Sequence, residues 1–209
     1  MKKNILFAAL LLMVHSVSLA APKWEIGPHV GFSFPTGDHV YGNTAGEGIG
    51  AKVLYQFENI SYLRARADLL YLSYGEQRSM IENTPGLLER TRHESFQLTA
   101  GMQLDWGAGT VRSYLAPMVG IFNYRSVSTY PDLYYYYGYT VTDTRDSQWT
   151  YGGRLQGGLL FDIGLGVLID VGFNYQRIFD VEIKKENRTF RTDADDLMLN
   201  VGVLISVTD

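Results

Sequence analysis

The chain contains no cysteine among its 209 residues. A disulfide framework is therefore excluded, and the fold must be held together by burial and backbone hydrogen bonds. Acidic residues outnumber basic ones by 22 to 18, which argues against a nucleic-acid partner because phosphate binding needs a surplus of basic charge. The 4 histidines include no pair at metal-ligand spacing, so neither a metal nor a cofactor is predicted.

Long apolar runs are also missing after the N-terminal segment. No later stretch approaches the roughly 18 consecutive apolar residues of a transmembrane helix. At the N-terminus, Met1-Lys2-Lys3 is basic, residues 5–14 are apolar, and Ser18-Leu19-Ala20 is typical of a cleavage site. This order predicts a cleaved signal peptide over residues 1–20 and one exported domain over residues 21–209.

In the predicted mature chain, apolar and polar residues alternate with the period of two that is typical of strands. The clearest stretch places Phe96, Leu98 and Ala100 on one face and Gln97 and Thr99 on the other. The alternation recurs in an even number of segments, which predicts an all-β fold, an eight-stranded antiparallel up-and-down transmembrane β-barrel. The predicted strands cover residues 23–34, 48–57, 62–71, 95–106, 111–124, 148–162, 167–176 and 196–208.

The connections between these segments alternate strictly in length. The short ones are residues 58–60, 106–109 and 163–166, and the long polar ones are residues 36–46, 75–93, 126–147 and 180–194. A membrane barrel has short periplasmic turns and long external loops, whereas a soluble sandwich has no reason to sort its connections. Aromatic residues near the ends of the apolar faces, such as Trp24 and Phe34, match the rings at a lipid–water interface. We expect a protein of the cell outer membrane with both termini in the periplasm.

Two prolines interrupt this pattern. Pro28 and Pro117 each fall inside a predicted strand, where proline removes a hydrogen-bond donor from the ladder. A closed barrel has no free edge to accommodate them, so we expect a local bulge at each.

The polar faces of the strands carry charges of both signs in nearly equal number, as a closed interior requires. An eight-stranded barrel is just wide enough for side chains to fill it, which favours an interior closed by ion pairs. A narrow selective channel is the alternative. The predicted interior set is Lys52, Arg64, Arg66, Asp68, Asp105, Arg112, Arg154, Asp162 and Asp170.

The C-terminal strand carries a more specific pattern, with Asn200, Gly202, Ile205 and Val207 at offsets 0, 2, 5 and 7. This resembles the signal by which the outer-membrane assembly machinery recognises barrel proteins, although the last position is not aromatic. In architecture the chain resembles the small eight-stranded outer-membrane proteins: opacity-type proteins, OmpX-like proteins and the OmpA transmembrane domain. The resemblance implies a structural protein, an adhesin or an immune-evasion surface, mostly without enzymatic activity, in contact with outer-membrane lipid and lipopolysaccharide.

A lipid A-modifying enzyme is a second alternative, because some barrels of this size are lipid A deacylases. His93 and Ser95 share one strand face, as in the His-x-Ser pair of those enzymes, but Glu94 points to the other face and does not orient His93 from the same strand. No catalytic residue is therefore assigned.

The third long loop, residues 126–147, is rich in tyrosine. Exposed tyrosines provide large contact areas at low entropic cost, so this loop is a candidate for binding an extracellular ligand. The candidate residues are Tyr130, Tyr134, Tyr135, Tyr136, Tyr137 and Tyr139. The leading functional hypothesis is a non-enzymatic outer-membrane barrel that displays four external loops for a structural role, adhesion or recognition.

Overall fold

A computed structural model of the chain describes residues 24–36, 45–57, 60, 62–80, 88–107, 109–131, 141–185 and 188–207. Within these ranges the regular structure consists of β-strands. No helix in this part of the chain is long and apolar enough to span a bilayer.

Nine strands form within the described ranges. They are β1 (Trp24–Pro35), β2 (Gly46–Gln56), β3 (Leu63–Tyr74), β4 (Gln77–Met80), β5 (Leu88–Trp106), β6 (Val111–Pro131), β7 (Val141–Asp162), β8 (Val167–Lys185) and β9 (Arg188–Val207).

The strands form a closed antiparallel barrel. Their spatial order is β3-β2-β1-β9-β8-β7-β6-β5, and pairing between β3 and β5 closes the ring. The short β4 pairs beside the start of β5. The predicted eight-stranded barrel is thus confirmed. One end of the barrel, called here the turn end, carries the short connections at residues 107–110 and 163–166. The opposite end, where long strands continue as hairpins, is called the hairpin end.

Side chains alternate between the inside and the outside of the barrel, as the sequence pattern predicts. Along β1, Glu25, His29 and Ser33 are buried, whereas Trp24 and Phe34 are exposed. The exposed side chains around the ring are predominantly apolar and aromatic, and include Ile26, Val30, Leu69, Leu98, Leu115, Ile121, Leu155, Phe173, Val201 and Val203. An apolar outer surface of this extent is that of a barrel surrounded by lipid.

At the hairpin end the strands are longer than the alternation predicts. β6 and β7 remain paired as far as Pro131 and Val141, and β8 and β9 as far as Lys185 and Arg188. The predicted long loops 126–147 and 180–194 are therefore largely paired strand, and the predicted loop 75–93 includes β4 and the start of β5. Backbone pairing continues in these stretches although the hydrophobic alternation does not, because the ladder depends on backbone groups and not on side-chain polarity.

The expected bulges at Pro28 and Pro117 are not formed. Pro28 pairs with Ala51 and Pro117 with Leu155, in registers that run on without a shift. In the ladders on the other side of the prolines, β1–β9 and β5–β6, two residue pairs are missing at each proline, and the pairing then resumes in the same register. The missing donor is thus accommodated by a lost hydrogen bond, without an inserted residue.

Among the described pairings, a register shift lies instead between Ile178 and Val181 of β8, where Asp180 has a φ of 54°. Two side chains of β7 bind the backbone there: Thr150 donates to the Phe179 carbonyl and Gln148 to the Asp180 carbonyl, at 2.8 Å for the latter. Among the described residues the β7–β8 ladder ends at the pair Gly152 and Ile178. Above this point β6–β7 and β8–β9 continue as separate hairpins.

We expect an arginine in the apolar outer surface to cost stability according to its depth. Leu155→Arg places a charge in the lipid-facing part of β7 and should lower the free energy of unfolding by about 2–4 kcal/mol. Ser147→Arg, on the same face of the same strand near the hairpin end, should change it by less than about 1 kcal/mol. Urea unfolding in lipid vesicles measures both, and equal stability of the two variants would contradict the lipid-facing assignment.

Candidate functional site

The centre of the barrel interior is occupied by a carboxylate with three partners. Asp170 on β8 accepts a hydrogen bond from the Lys52 ammonium at 2.5 Å and from the Tyr114 hydroxyl at 2.7 Å. The Arg66 guanidinium lies 3.5 Å from the same carboxylate. The side chains of Lys52, Arg66 and Asp170 have no solvent exposure. We call these four residues, from four strands, the central cluster.

A second carboxylate extends this cluster. Asp68 lies 3.0 Å from Arg66 Nε and 3.9 Å from the guanidinium of Arg154. Arg154 also donates to Gln97 and, at 2.7 Å, to Gln176. Two carboxylates here face three cations, Lys52, Arg66 and Arg154, and uncharged amides supply the acceptors that the carboxylates do not.

A further group of charges closes the turn end. Arg64 pairs with Glu25 at 2.6 Å and with Asp105 at 3.0 Å, and donates to Gln56 at 2.9 Å. Arg112 lies at the rim, 3.8 Å from Asp105, with its side chain 25% exposed. These contacts cover the central cluster on the side of the short turns.

Apolar side chains form two further clusters in the interior, beside buried polar side chains such as Ser33, Thr99, Asn174 and Asn200. One cluster lies toward the turn end and consists of Leu54, Tyr114, Ala116, Met118, Leu160, Leu168 and Leu204. The other lies toward the hairpin end and consists of Leu70, Leu72, Tyr74, Phe122, Tyr124, Ile178, Val181, Ala194 and Met198. Ionic and apolar layers together leave the central side chains without access to water.

Two glycines make room for Tyr114. Gly158 and Gly172 are paired across β7 and β8. A Cβ atom at Gly158 would lie 2.6 Å from the Tyr114 ring, and one at Gly172 would lie 2.4 Å from its hydroxyl. The ring therefore occupies a flat part of the wall, from which its hydroxyl reaches Asp170 and accepts a hydrogen bond from Gln156 at 2.8 Å.

The structure brings most of the predicted interior charges together. Lys52, Arg64, Arg66, Asp68, Asp105, Arg154 and Asp170 are buried in the interior and contact one another as described. Arg112 lies only at its rim. The prediction is wrong for Asp162, which is exposed and accepts a hydrogen bond from the Gly164 amide at 2.9 Å. Asp162 is the last residue of β7, so its carboxylate belongs to the turn rather than to the interior.

Several interior residues were absent from the predicted set. Glu25 and Tyr114 provide essential partners, and Asp196 is buried beside Tyr74 and Gln176. Tyr114 shares the alternation phase of Arg112 on β6, and Glu25 and Asp196 lie on the polar faces of β1 and β9. Applying that phase to every polar residue, rather than to selected charges, would have identified them.

The remaining predicted residues lie in different environments. Asn200 and Gly202 face the interior and Val207 faces outward, with Ile205 between buried and exposed. Tyr130 lies in β6, paired with Thr142. Tyr134, Tyr135, Tyr136, Tyr137 and Tyr139 lie outside the described residues.

The His-x-Ser pair does not face lipid. Ser95 is completely buried in the interior and accepts a hydrogen bond from Gln97 at 3.3 Å. His93 shares its strand face, on the inner side of β5. Within the part of the chain that is described, no group of three or more His, Asp or Glu residues is arranged to hold a metal ion.

No protein-family model matches the chain, and no curated protein sequence matches it. Solved structures do. Neisserial surface protein A aligns with a TM-score of 0.54 at 18% identity, covering 88% of this chain and 97% of its own. Ail, the attachment invasion locus protein of Yersinia pestis, was solved with the heparin analogue sucrose octasulfate. It aligns with a TM-score of 0.51 at 14% identity, covering 88% of this chain and 98% of its own. OprG from Pseudomonas aeruginosa aligns with a TM-score of 0.55 at 9% identity, covering 90% of this chain and 97% of its own. The chain thus has the fold of the small outer-membrane β-barrels.

Removing the charge of the central carboxylate should destabilise the barrel strongly. Asp170→Asn leaves Lys52 buried without its anionic partner, so we expect a loss of about 3–5 kcal/mol in the free energy of unfolding. The control Asp162→Asn changes an exposed turn residue and should cost less than about 0.5 kcal/mol. Urea unfolding compares the two, and similar losses would refute the central role of Asp170.

A single methyl group should distinguish two adjacent glycines. Gly158→Ala forces the new Cβ against Tyr114 and the Val171 carbonyl, so we expect a loss of about 1–3 kcal/mol. At Gly157 the nearest atoms to a new Cβ are 3.8 Å away, so Gly157→Ala should be close to neutral. The same unfolding measurement serves both variants; a neutral Gly158→Ala would show that Tyr114 does not depend on this space.

Proposed function

We propose that the protein is a non-enzymatic outer-membrane barrel that displays its hairpins outside the cell for adhesion or recognition, in addition to its structural role in the membrane. The observation that carries this proposal is the filled interior. Lys52, Arg66 and Asp170 pair with one another at zero solvent exposure, between two apolar clusters. With its centre closed and its sides in lipid, the barrel offers partners outside the membrane only the surfaces at its two ends.

The proposed orientation places the turn end in the periplasm. Trp24 and Val207, the first and last residues of the described strands, pair with each other at this end. A chain exported by the predicted signal peptide reaches the membrane from the periplasm, so both ends of the barrel domain lie on that side. The hairpins of β6–β7 and β8–β9 then project outside the cell.

The tyrosine-rich segment is the proposed recognition element. β6 and β7 support it as a paired hairpin up to Pro131 and Val141. Rigid paired strands reduce the entropy that a binding loop loses on contact, and tyrosines supply both apolar area and hydroxyl groups. One protein of the same fold is named for attachment and invasion, which is compatible with such a role.

Two other functions have less support. A channel requires a hydrated path, whereas the central cluster and the apolar layers fill the interior. A lipid A deacylase requires a nucleophile within reach of lipid, whereas Ser95 is enclosed by the barrel.

Adhesion tests the recognition role directly. Replacing Tyr134, Tyr135, Tyr136 and Tyr137 by serine should abolish binding of protein-expressing bacteria to host cells or extracellular matrix, because the contact area of the loop is lost. The control Tyr62→Ser removes an exposed tyrosine at the turn end and should leave binding unchanged. Unchanged adhesion in the loop variant would remove the proposal.

Two further measurements test the alternatives on the unaltered protein. In planar bilayers we expect no conductance steps, because the interior is filled. In cells with and without the protein, lipid A should give the same mass spectrum. Stable conductance steps would establish a channel, and a changed spectrum would establish an enzyme.

A further inference from the structure

The lipid-facing wall carries a groove beside its apolar ridges. Small side chains at Pro28 and Ala51 form its floor, and Val30, Ile49, Leu69, Tyr71, Phe96, Ile169 and Val203 form its sides. It crosses the outer surface from β8 over β9, β1, β2 and β3 to β5. Neighbouring strands are spaced by about 4.8 Å, so an acyl chain can lie across several of them in this groove.

The groove ends at a pair of aromatic rings near the hairpin end. Tyr71 and Phe96 are register partners on β3 and β5. The next outward-facing pair toward the hairpin end is Ser73 and Glu94, which marks the change from apolar to polar wall. This is the height at which the headgroup of a lipid lying in the groove would be found.

Two arginines face outward at this height, on neighbouring strands. Arg92 on β5 and Arg125 on β6 have side chains 55% and 39% exposed. Both lie near Glu94, at 3.4 Å and 4.0 Å, and Arg92 Nε donates to Ser73 at 3.3 Å. One carboxylate between two guanidinium groups leaves a net positive charge of one. The Glu94 side chain is only 17% exposed, so the surface offered to the membrane is that of the arginines.

We propose that this wall of the barrel binds a phosphorylated, acylated lipid of the outer leaflet, with its phosphate at Arg92 and Arg125 and one acyl chain in the groove below Tyr71 and Phe96. Guanidinium groups bind phosphate through charge-assisted and often bidentate hydrogen bonds. The arginines lie on the side of the barrel, above an apolar groove that lipid alone can fill. A membrane lipid therefore fits both halves of the site, whereas a soluble anion fits only one.

A different wall shows that exposed arginine alone does not make such a site. Arg177 on β8 is 49% exposed, but it pairs with Asp193 at 2.8 Å and lies 4.0 Å from Asp195. The Tyr175 hydroxyl donates to the same Asp195 at 2.9 Å. The two carboxylates make this wall net negative, and it provides a matched control.

Native mass spectrometry of the full chain in detergent micelles, titrated with bisphosphorylated lipid A, tests the headgroup half. The double variant Arg92→Gln/Arg125→Gln should bind this lipid with an affinity at least about tenfold lower, because the charge-assisted hydrogen bonds to phosphate are lost. Arg177→Gln should bind like the unaltered protein. Lipid A without phosphates should bind the unaltered protein and the double variant equally. An unchanged double variant, or an equal loss in Arg177→Gln, overturns the proposal.

Filling the groove tests the acyl half. Ala51→Phe should weaken the binding of bisphosphorylated lipid A several-fold, whereas Ala65→Phe, an outward-facing alanine outside the groove, should not. Displacement of the lipid by millimolar inorganic phosphate would show an ion site only and overturn the proposal, as would equal binding by the two variants. The shift in gel mobility on heating confirms that each variant is folded.

The inference assumes the outer-membrane location proposed above, but its test is independent of adhesion. Loss of lipid binding with intact adhesion in the arginine variant would support it, because the tyrosine loop is unaltered there. Loss of adhesion in the tyrosine variant with intact lipid binding would leave it standing.

Discussion

A strand surrounded by hydrocarbon must find backbone partners on both sides, because lipid offers no hydrogen bonds. In this chain the requirement is met by the pairing of β3 with β5, which closes the ring. Closure separates an outer surface that must be apolar from an interior that lipid cannot reach. Every charge on an inward-facing position must then be neutralised by other side chains of the interior. The Asp170 contacts to Lys52, Arg66 and Tyr114 are the consequence of that enclosure.

The interior contains both ion pairs and densely packed side chains. Its charges come from strands that are distant in sequence, so the ion pairs form only when the barrel is complete. Lys52 and Asp170, for example, are separated by 118 positions. Glycines on the wall compensate for the largest side chains, as Gly158 and Gly172 do for Tyr114. Such dependence between distant strands favours cooperative formation of the barrel, at the slow rate expected for non-local pairing.

Much of this architecture was predictable from residue alternation, and the failures have physical causes. Trp24, Val30 and Phe34 show the outward phase of β1 from the sequence alone, and seven of the nine predicted charges lie in the interior. Asp162 was misplaced because alternation gives the face of a side chain but not its depth, and the last inward-phase position of β7 is exposed at the rim. The bulge at Phe179 and Asp180 left no signal, since side chains of another strand, Thr150 and Gln148, stabilise it. The length of the hairpins was not predicted because the strands remain paired beyond the point where their side chains stop alternating between apolar and polar.

The outer surface divides into regions with different demands. Near the middle of the barrel, outward-facing residues must be apolar to contact lipid, and the inward-facing residues between them must pack in the interior. Beyond Gly152 and Ile178 the described β7–β8 ladder has ended, so the β8–β9 hairpin is no longer paired with β7, whereas β6 stays paired with β5 as far as Thr129. A residue inserted in the β8–β9 hairpin therefore leaves the register of β6 and β7 unchanged. Changes in this hairpin therefore do not disturb the barrel, and the point where the ladder stops separates the part of the wall that tolerates them from the scaffold.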